Sequence, residues 1–366
     1  MKYYIIAGEA SGDLHGSNLI KEIHKIDTSA NIQCWGGEKM QNAGAKLVKH
    51  YKDLAFMGFV EVIKNLPTIF KNIAFCKKDI TDFNTDVLVL IDYPGFNMRI
   101  AKWAHKKNIK IVYYISPQIW AWKENRVHAI KRDVDKMLVI LPFEKDFYKK
   151  YNYDINYVGH PLVEVISDFK NNNSHIKKEN IVALLPGSRK QEILVKLPIM
   201  LSVAKHFPTY KFVVAKAPGL EDDFYEKILS QYSNVDSVIN ETYSLLCKAK
   251  AALVTSGTAT LETALFAVPE IVCYKGSKVS YAIAKRLIKI KYISLVNLIM
   301  NKEVVKELIQ DELNENNIVA ELTLLLNETN KTAQLKKDYN TLFSVLQAGG
   351  HASANAAKLI YDMLKK

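Results

Sequence analysis

The stretch Val87-Leu88-Val89-Leu90-Ile91-Asp92-Tyr93-Pro94-Gly95-Phe96-Asn97 indicates the fold class. Five consecutive apolar residues predict a strand that is buried on both faces, and the Pro-Gly pair ends it. Residues 97–107 then have the apolar spacing of a helix. A strand buried on both faces and followed by a helix is typical of a parallel sheet covered by helices.

The same alternation recurs in both halves of the chain and predicts an α/β protein. Further apolar runs lie at residues 2–8, 109–116, 136–142, 181–188, 211–217, 251–257 and 270–276. A polar tract, FKNNNSHIKKEN at 169–180, separates the two sets. We therefore expect two doubly wound, Rossmann-like domains, residues 1–168 and 169–350, facing a cleft. A last helix within 351–366 is expected to pack back on the first domain.

Composition limits the choice of partners. Lysine and arginine outnumber aspartate and glutamate 50 to 38 among 366 residues, a net charge of +12, so the partners should be anionic. Nucleic acid is disfavoured because no binding module is recognisable and aromatic residues are not interleaved with basic ones. Four scattered cysteines predict a reduced, cytoplasmic protein, and neither an export signal nor a membrane-spanning helix is expected.

Residues 8–16, Gly-Glu-Ala-Ser-Gly-Asp-Leu-His-Gly, connect the first predicted strand to its helix. The glycine spacing is neither that of a dinucleotide-binding turn nor that of a P-loop. Glu9 and Asp13 would repel a pyrophosphate at the helix N-terminus, so a neutral polyol such as a sugar is the better ligand. The alternative is a tight turn in which Asp13 caps the helix.

Asp92 ends its strand directly before the Pro-Gly pair. In open α/β sheets ligands bind beyond the carboxyl ends of the strands, where such a carboxylate can accept a proton from a sugar hydroxyl. The alternative is a cap for the strand end.

Two loops of the second half predict a nucleotide-diphosphate site. In the first, Gly187 and Ser188 can offer backbone N–H groups, and Arg189 offers a planar fork that matches phosphate oxygens. The second, 255–262, delivers small residues to a helix N-terminus, and Glu262 lies one turn beyond Thr258, suiting a ribose. The alternatives are a solvated basic turn and hydroxyl groups that only cap a helix.

The Asp133-Val134-Asp135 segment has the DxD pattern that holds a metal in some sugar transferases. Basic residues flank it on both sides, at Lys131, Arg132 and Lys136. We therefore predict no metal site.

Nine motifs occur in the order found in the lipid-A-disaccharide synthases, glycosyltransferases of Gram-negative bacteria, and the chain resembles that family over nearly its whole length. They are GEASGDLHG (8–16), LAFMGFVEVI (54–63), IDYPGFN (91–97), SPQIWAWKENRV (116–127), LPFEKDFY (141–148), VGHP (158–161), LLPGSRKQEI (184–193), TSGTATLE (255–262) and YISLVNLIMNKEVVKELIQ (292–310). Two departures from the family pattern are His15, where some members have an aliphatic residue, and Val296-Asn297, where Pro-Asn is commoner.

The resemblance implies a GT-B architecture and an inverting reaction without a cofactor. UDP-2,3-diacylglucosamine and 2,3-diacylglucosamine 1-phosphate would give lipid A disaccharide 1-phosphate and UDP. Asp92 matches the family's essential aspartate, the expected base, and Arg189 its essential arginine, expected to offset charge on the leaving UDP. Alternatives are another GT-B enzyme, such as a peptidoglycan N-acetylglucosaminyl transferase, or a UDP-sugar epimerase.

The expected binding residues fall into two sets. Those for UDP are Gly187, Ser188, Arg189, Ser256, Gly257, Thr258, Ala259 and Glu262. Those for the acceptor are Glu9, Ser11, Gly12, Asp13, His15, Ser116 and Gln118.

The acyl chains of these substrates imply peripheral association with the inner face of the inner membrane, since buried chains do not leave a bilayer unaided. A basic amphipathic pattern lies within residues 54–76, and its expected docking residues are Val62, Ile63, Leu66, Ile69 and Phe70. A second basic stretch is 275–291. The alternative is that both are core helices with solvated lysines. The sequence leaves open whether the chain is a monomer or a homodimer.

Overall fold

The structure is a computed structural model that describes residues 1–54, 66–217, 220–277, 281 and 290–365. It divides into two compact units, Met1–Pro161 with Leu346–Lys366, and Leu162–Val345. The division therefore falls before the expected boundary at residue 168. A helix runs over Pro161–Asn172 and buries Leu162 and Ile166, so the polar tract begins inside a packed helix. Proline is well suited to a first helical position, which places the helix start at the unit boundary.

The first unit contains one parallel sheet with the order β3-β2-β1-β4-β5-β6-β7. Its strands are Lys2–Ala7 (β1), Asn31–Gly36 (β2), Lys46–His50 (β3), Val87–Ile91 (β4), Lys110–Tyr114 (β5), Lys136–Val139 (β6) and Asn156–Tyr157 (β7). The helices between them are Ala10–Ile26 (α1), Glu38–Asn42 (α2), Leu66–Asp82 (α3), Pro94–Lys106 (α4), Ile119–Trp122 (α5), Arg126–Asp133 (α6) and Glu144–Lys149 (α7).

The second unit repeats this plan with the order β10-β9-β8-β11-β12-β13, again with parallel pairs. Its strands are Ile181–Leu185 (β8), Lys211–Lys216 (β9), Val235–Ile239 (β10), Ala251–Thr255 (β11), Glu270–Tyr274 (β12) and Lys306–Ile309 (β13). Its helices are Pro161–Asn172 (α8), Lys190–Leu201 (α9), Asp222–Leu229 (α10), Thr242–Lys248 (α11), Thr258–Leu265 (α12), Leu295–Met300 (α13), Glu315–Asn327 (α14) and Thr329–Gln347 (α15).

Burial follows the apolar pattern of the sequence. All five residues of β4, β8 and β11 are buried, as predicted for strands covered on both faces. The α/β prediction with two doubly wound sheets is confirmed. The last helix, Ala352–Leu364 (α16), packs against α1 of the first unit.

Within the described ranges, no helix combines the length and the apolar composition needed to cross a bilayer.

Candidate active site

Each unit has a topological switch point, where successive connections leave the sheet in opposite directions. In the first unit it lies between β1 and β4, and in the second between β8 and β11. A doubly wound sheet opens a crevice there, beyond the carboxyl ends of the strands. Glu9 follows β1 and Asp92 follows β4, whereas Arg189 follows β8 and Gly257 follows β11. The predicted residues thus flank the two crevices.

Asp92 stands on a strained turn. Its φ is 42° and that of Tyr93 is 48°, a left-handed conformation that costs a non-glycine residue about 1–2 kcal/mol. Two side chains hold this turn through the Asp92 carbonyl, which accepts hydrogen bonds from Asn97 Nδ2 at 2.8 Å and Tyr113 Oη at 2.6 Å. Both partners are fully buried, so the core fixes the direction of the Asp92 side chain.

The electrostatic setting of Asp92 suits a base near neutral pH. The residue has solvent access, yet protein packed around its carboxyl group raises its pKa to about 7, with a further contribution from the charge of Glu9. A general base works best when its pKa lies near the working pH. The structure therefore supplies a carboxylate that can accept a proton and later release it.

The first loop places Glu9 and Ser11 at the surface at the start of α1. The Tyr93 ring covers Gly8 so closely that a Cβ there would lie 2.3 Å from the ring. Gly12 is buried, and a Cβ on it would lie 3.0 Å from Ala7 Cβ. Its lack of a side chain thus serves the packing of α1 on β1.

Asp13 and His15 have a different placement from the one expected. The Asp13 carboxylate is buried and accepts hydrogen bonds from the N–H groups of Gly37 at 2.7 Å and Met40 at 3.0 Å. It therefore caps α2, a different helix from the one that the sequence predicts. His15 is also buried, which lowers its pKa to about 4. Both side chains are therefore buried and not exposed at the surface of the crevice, and their assignment to the acceptor stays a prediction.

Gln118 is exposed beyond β5, whereas Ser116 is buried and its Oγ lies 2.7 Å from Tyr148 Oη. Beneath this loop Glu144 accepts a hydrogen bond from Leu141 N at 3.0 Å, and burial raises the pKa of Glu144 to about 8. Ser116 thus belongs to a buried polar cluster that supports the loop. No sequence pattern indicates this cluster, because its members come from separate motifs.

In the second unit Arg189 precedes α9, and its exposed guanidinium donates to Glu192 Oε1 at 3.1 Å. Gly187 has φ 115°, a conformation that favours glycine and lets the loop turn back toward the helix. Ser188 is exposed beside it. An exposed cation at a helix N-terminus is suited to binding an anion.

Lys196 belongs to this site although the sequence did not predict it. It is buried, and its Nζ contacts Thr255 Oγ1 at the end of β11 and Glu192 Oε2 at 3.4 Å. Burial lowers its pKa. Lys196 thereby joins the two loops of the predicted diphosphate site. The sequence offered one indication of this role, because Lys196 lies on the apolar face of α9 between the buried residues Ile193 and Leu197.

The second loop has an open helix start. Gly257 has φ 149° and is exposed, as is Thr258, the first residue of α12. Ala259 follows in the first turn of that helix. Ser256 Oγ donates to the carbonyl of Ile293 at 2.8 Å, so this hydroxyl anchors the loop. The helix start presents N–H groups and the positive end of the helix dipole.

Glu262 lies one turn further along α12, as predicted. Its Oε1 accepts a hydrogen bond from Tyr243 Oη at 3.0 Å, and burial raises its pKa. A carboxylate can accept several hydrogen bonds, so this contact leaves capacity for a diol.

Both aspartates of the DxD segment have hydrogen-bond partners within the protein. Asp133 accepts two hydrogen bonds from the Arg132 guanidinium, each 2.7 Å, and Asp135 accepts one from Ile111 N at 2.8 Å. Across the part of the chain that the structure describes, no group of three or more His, Cys, Asp or Glu could hold a metal ion.

Comparison with known proteins identifies relatives over nearly the whole chain. Residues 3–362 match the lipid-A-disaccharide synthetase family. The lipid-A-disaccharide synthase of Geobacter metallireducens is 37% identical, covering 99% of this chain and 97% of the relative. Lipid-A-disaccharide synthase 1 of Legionella pneumophila is 39% identical, covering 85% of this chain and 84% of the relative.

Solved structures show the same fold at low identity. A UDP-GlcNAc 2-epimerase from Neisseria meningitidis, bound to UDP-GlcNAc, has a TM-score of 0.67 at 14% identity and 100% coverage of both chains. The glycotransferase of kitacinnamycin has a TM-score of 0.67 at 13% identity and 99% coverage of both chains. The GT-B prediction is confirmed, and the chain belongs to the lipid-A-disaccharide synthase family of glycosyltransferases.

Proposed function

We propose that the chain condenses UDP-2,3-diacylglucosamine with 2,3-diacylglucosamine 1-phosphate, giving lipid A disaccharide 1-phosphate and UDP with inversion. The first unit would bind the acceptor and the second the UDP-sugar. The observation that carries this proposal is the Asp92 carboxylate, which stands on a strained turn at the switch point with its pKa raised to about 7. Such strain is typical of functional sites.

The reaction is a single displacement. Asp92 takes the proton of the acceptor 6-hydroxyl as that oxygen attacks C1 of the donor sugar. The bond between C1 and the β-phosphate oxygen breaks on the opposite face, which inverts the configuration. Negative charge then develops on UDP, where Arg189 and the N-terminus of α12 are placed to offset it.

The second unit supplies contacts for each part of the nucleotide. We assign the diphosphate to the backbone of Gly187 and Ser188, the Arg189 side chain, and the open start of α12 at Gly257, Thr258 and Ala259. Glu262 is assigned to the ribose hydroxyls. Ser256 supports this site through its bond to Ile293.

The acceptor sugar is assigned to exposed polar side chains of the first unit. Glu9, Ser11 and Gln118 follow the carboxyl ends of β1 and β5, on either side of Asp92 in the sheet order. Hydrogen bonds from such groups orient a sugar without requiring charge on it.

We also propose that the protein associates with the cytoplasmic face of the inner membrane, where its acylated substrates reside. On α3 Phe70 is 61% exposed, and Ile69, which lies on the same helix face as the packed residues Ile73 and Cys76, is partly exposed. Val62, Ile63 and most of the second basic stretch lie outside the described residues, as does the side chain of Leu66. Exposed apolar groups beside lysines suit an anionic lipid surface.

An assay with both diacylglucosamine substrates tests the reaction directly. We expect mass spectrometry to show a disaccharide 1-phosphate and an equal amount of UDP. Conversion of UDP-N-acetylglucosamine to an epimer, with no disaccharide formed, would instead identify an epimerase. Separate binding titrations with UDP and with an oligonucleotide check the exclusion of nucleic acid. We expect the protein to bind UDP and not the oligonucleotide.

The membrane proposal has its own test. Replacing Ile69 and Phe70 with serine should weaken sedimentation with anionic vesicles, and added salt should partly release the unaltered protein. Leu194→Ser is the matched control, because Leu194 is 49% exposed but lies on α9 of the second unit. Equal vesicle binding by all three proteins would overturn the assignment of α3.

A further inference from the structure

A pair of cations lies on one aromatic ring beyond β5. Trp122 is the last residue of α5 and is 51% exposed. Lys123 Nζ lies 4.0 Å from the centroid of its ring, and Arg126 Cζ lies 6.0 Å from it. Such cation–π contacts hold both side chains near one surface and reduce the entropy lost when they bind an anion.

Glu124, the carboxylate between these two cations in the sequence, is engaged elsewhere. It accepts a hydrogen bond from Tyr151 Oη at 2.9 Å. Among the described residues, neither Lys123 nor Arg126 forms an ion pair within 4.0 Å. Both are half-buried, and burial together with the charge of Arg126 lowers the pKa of Lys123. Like charges held together in this way favour an anion between them.

The charge of Arg126 reaches Tyr113, a residue that holds the Asp92 turn. Burial raises the pKa of the Tyr113 hydroxyl, and the charge of Arg126 is near enough to offset part of that rise. The same hydroxyl donates to the Asp92 carbonyl at 2.6 Å. A group bound by Arg126 would therefore sit at the same sheet edge as the proposed base.

We propose that Trp122, Lys123 and Arg126 form a subsite for the phosphate monoester of the acceptor sugar. This inference rests on the proposed function, whose acceptor carries such a phosphate. A monoester carries a charge of about −1.5 to −2 near pH 7, which two cations match. The guanidinium can donate two parallel hydrogen bonds to phosphate oxygens, and the ammonium adds a point charge. Lys123 and Arg126 are thus specificity-determining residues that read the acceptor phosphate.

The test compares two acceptors, diacylglucosamine 1-phosphate and the same sugar without the phosphate, each dispersed in a neutral detergent. For the double variant Lys123→Gln, Arg126→Gln we expect KM for the phosphorylated acceptor to rise about 10-fold or more. KM for the other acceptor and for the UDP-sugar should stay unchanged, so the preference for phosphate disappears. Lys107→Gln, an exposed lysine after α4, is the matched control.

Other outcomes would contradict either the subsite or the proposed function. A preference for the phosphorylated acceptor that survives in the double variant, with UDP affinity showing it to be folded, overturns the subsite. Loss of binding to anionic vesicles with that preference retained would show that the cations contact lipid headgroups, which also overturns it. If the unaltered protein forms no disaccharide from either acceptor, the proposed function itself fails. A milder variant, Arg126→Lys, should reduce the preference partly, since it keeps the charge and loses the fork.

Discussion

The switch points of the two units have the same strand order, β3-β2-β1-β4 in one and β10-β9-β8-β11 in the other, but they are built differently. At the first switch point two non-glycine residues adopt positive φ, 42° at Asp92 and 48° at Tyr93. At the second switch point glycines do so, at Gly187 and Gly257. The charged groups differ as well, carboxylates at Asp92 and Glu9 against the guanidinium of Arg189.

This difference separates two ways of using a loop. Where a side chain must be presented in one direction, the first unit accepts backbone strain and holds it with buried partners such as Tyr113. Where backbone N–H groups must approach a ligand, the second unit uses glycine, which adopts the conformation without a penalty. We infer that the first crevice works through a carboxylate side chain and the second through backbone and cations. Substitutions in each crevice test that contrast.

The largest effect is expected at Asp92. Asp92→Asn keeps the shape of the side chain but removes the proton acceptor, so kcat should fall by about 10²–10⁴-fold with UDP affinity little changed. Steady-state kinetics and a UDP titration measure the two quantities. Glu22→Gln, on the outer part of α1 beside Lys25, is a control that should behave as the unaltered protein. Near-normal turnover in folded Asp92→Asn would remove the base assignment.

The second prediction concerns Arg189. Losing a charge-assisted hydrogen bond to phosphate costs about 1.5–3 kcal/mol, so Arg189→Ala should weaken UDP binding about 10- to 100-fold. Calorimetric titration with UDP measures this. Lys190→Ala is the control, because Lys190 is the next residue but its ammonium lies over the Phe224 ring at 5.3 Å. Equal losses in both variants would point to general charge rather than to a placed guanidinium.

A smaller effect is expected at Lys196, which joins the two loops of the second crevice. Lys196→Met removes the contact with Thr255 and leaves Glu192 to pair with Arg189 alone. We expect UDP affinity to fall about 3- to 10-fold, corresponding to the loss of an ordinary hydrogen bond. Lys196→Arg should restore most of it. A thermal unfolding scan checks stability, and unchanged UDP affinity in a stable Lys196→Met protein would limit Lys196 to packing.

These residues also show what the sequence could and could not reveal. The positions of Asp92 and Arg189 beyond strand ends were predictable, because buried strands are visible as apolar runs and a parallel sheet brings their carboxyl ends to one edge. The position of Glu262 one turn into α12 followed from helical spacing. The placement of Asp13 and the role of Lys196 were not predictable, because their partners Gly37 and Thr255 come from distant parts of the chain. A local pattern records neither which helix start a carboxylate caps nor which strand end a lysine reaches.

The smallest effect tests the electrostatics of the first crevice. Asp92 acts as a base only when ionised, so kcat/KM should rise with pH and level off above its pKa of about 7. The charge of Glu9 raises that pKa, and Glu9→Gln should therefore move the acidic limb of the profile to lower pH. If the pKa of Asp92 fell by ~0.5, kcat/KM well below the pKa would gain roughly threefold relative to the plateau.

Normalising each profile to its own plateau separates this change in pKa from any loss of acceptor contacts at Glu9. The control Glu22→Gln removes a carboxylate from the same helix region without moving the limb, since Glu22 pairs with Lys25. A limb that stays in place in Glu9→Gln, or moves to higher pH, would show that the two carboxylates do not interact. Glu192 instead pairs with the cations Arg189 and Lys196 of the second crevice. Glu192→Gln should therefore leave the acidic limb unmoved and change UDP affinity, so that losing a carboxylate has a different effect in each crevice.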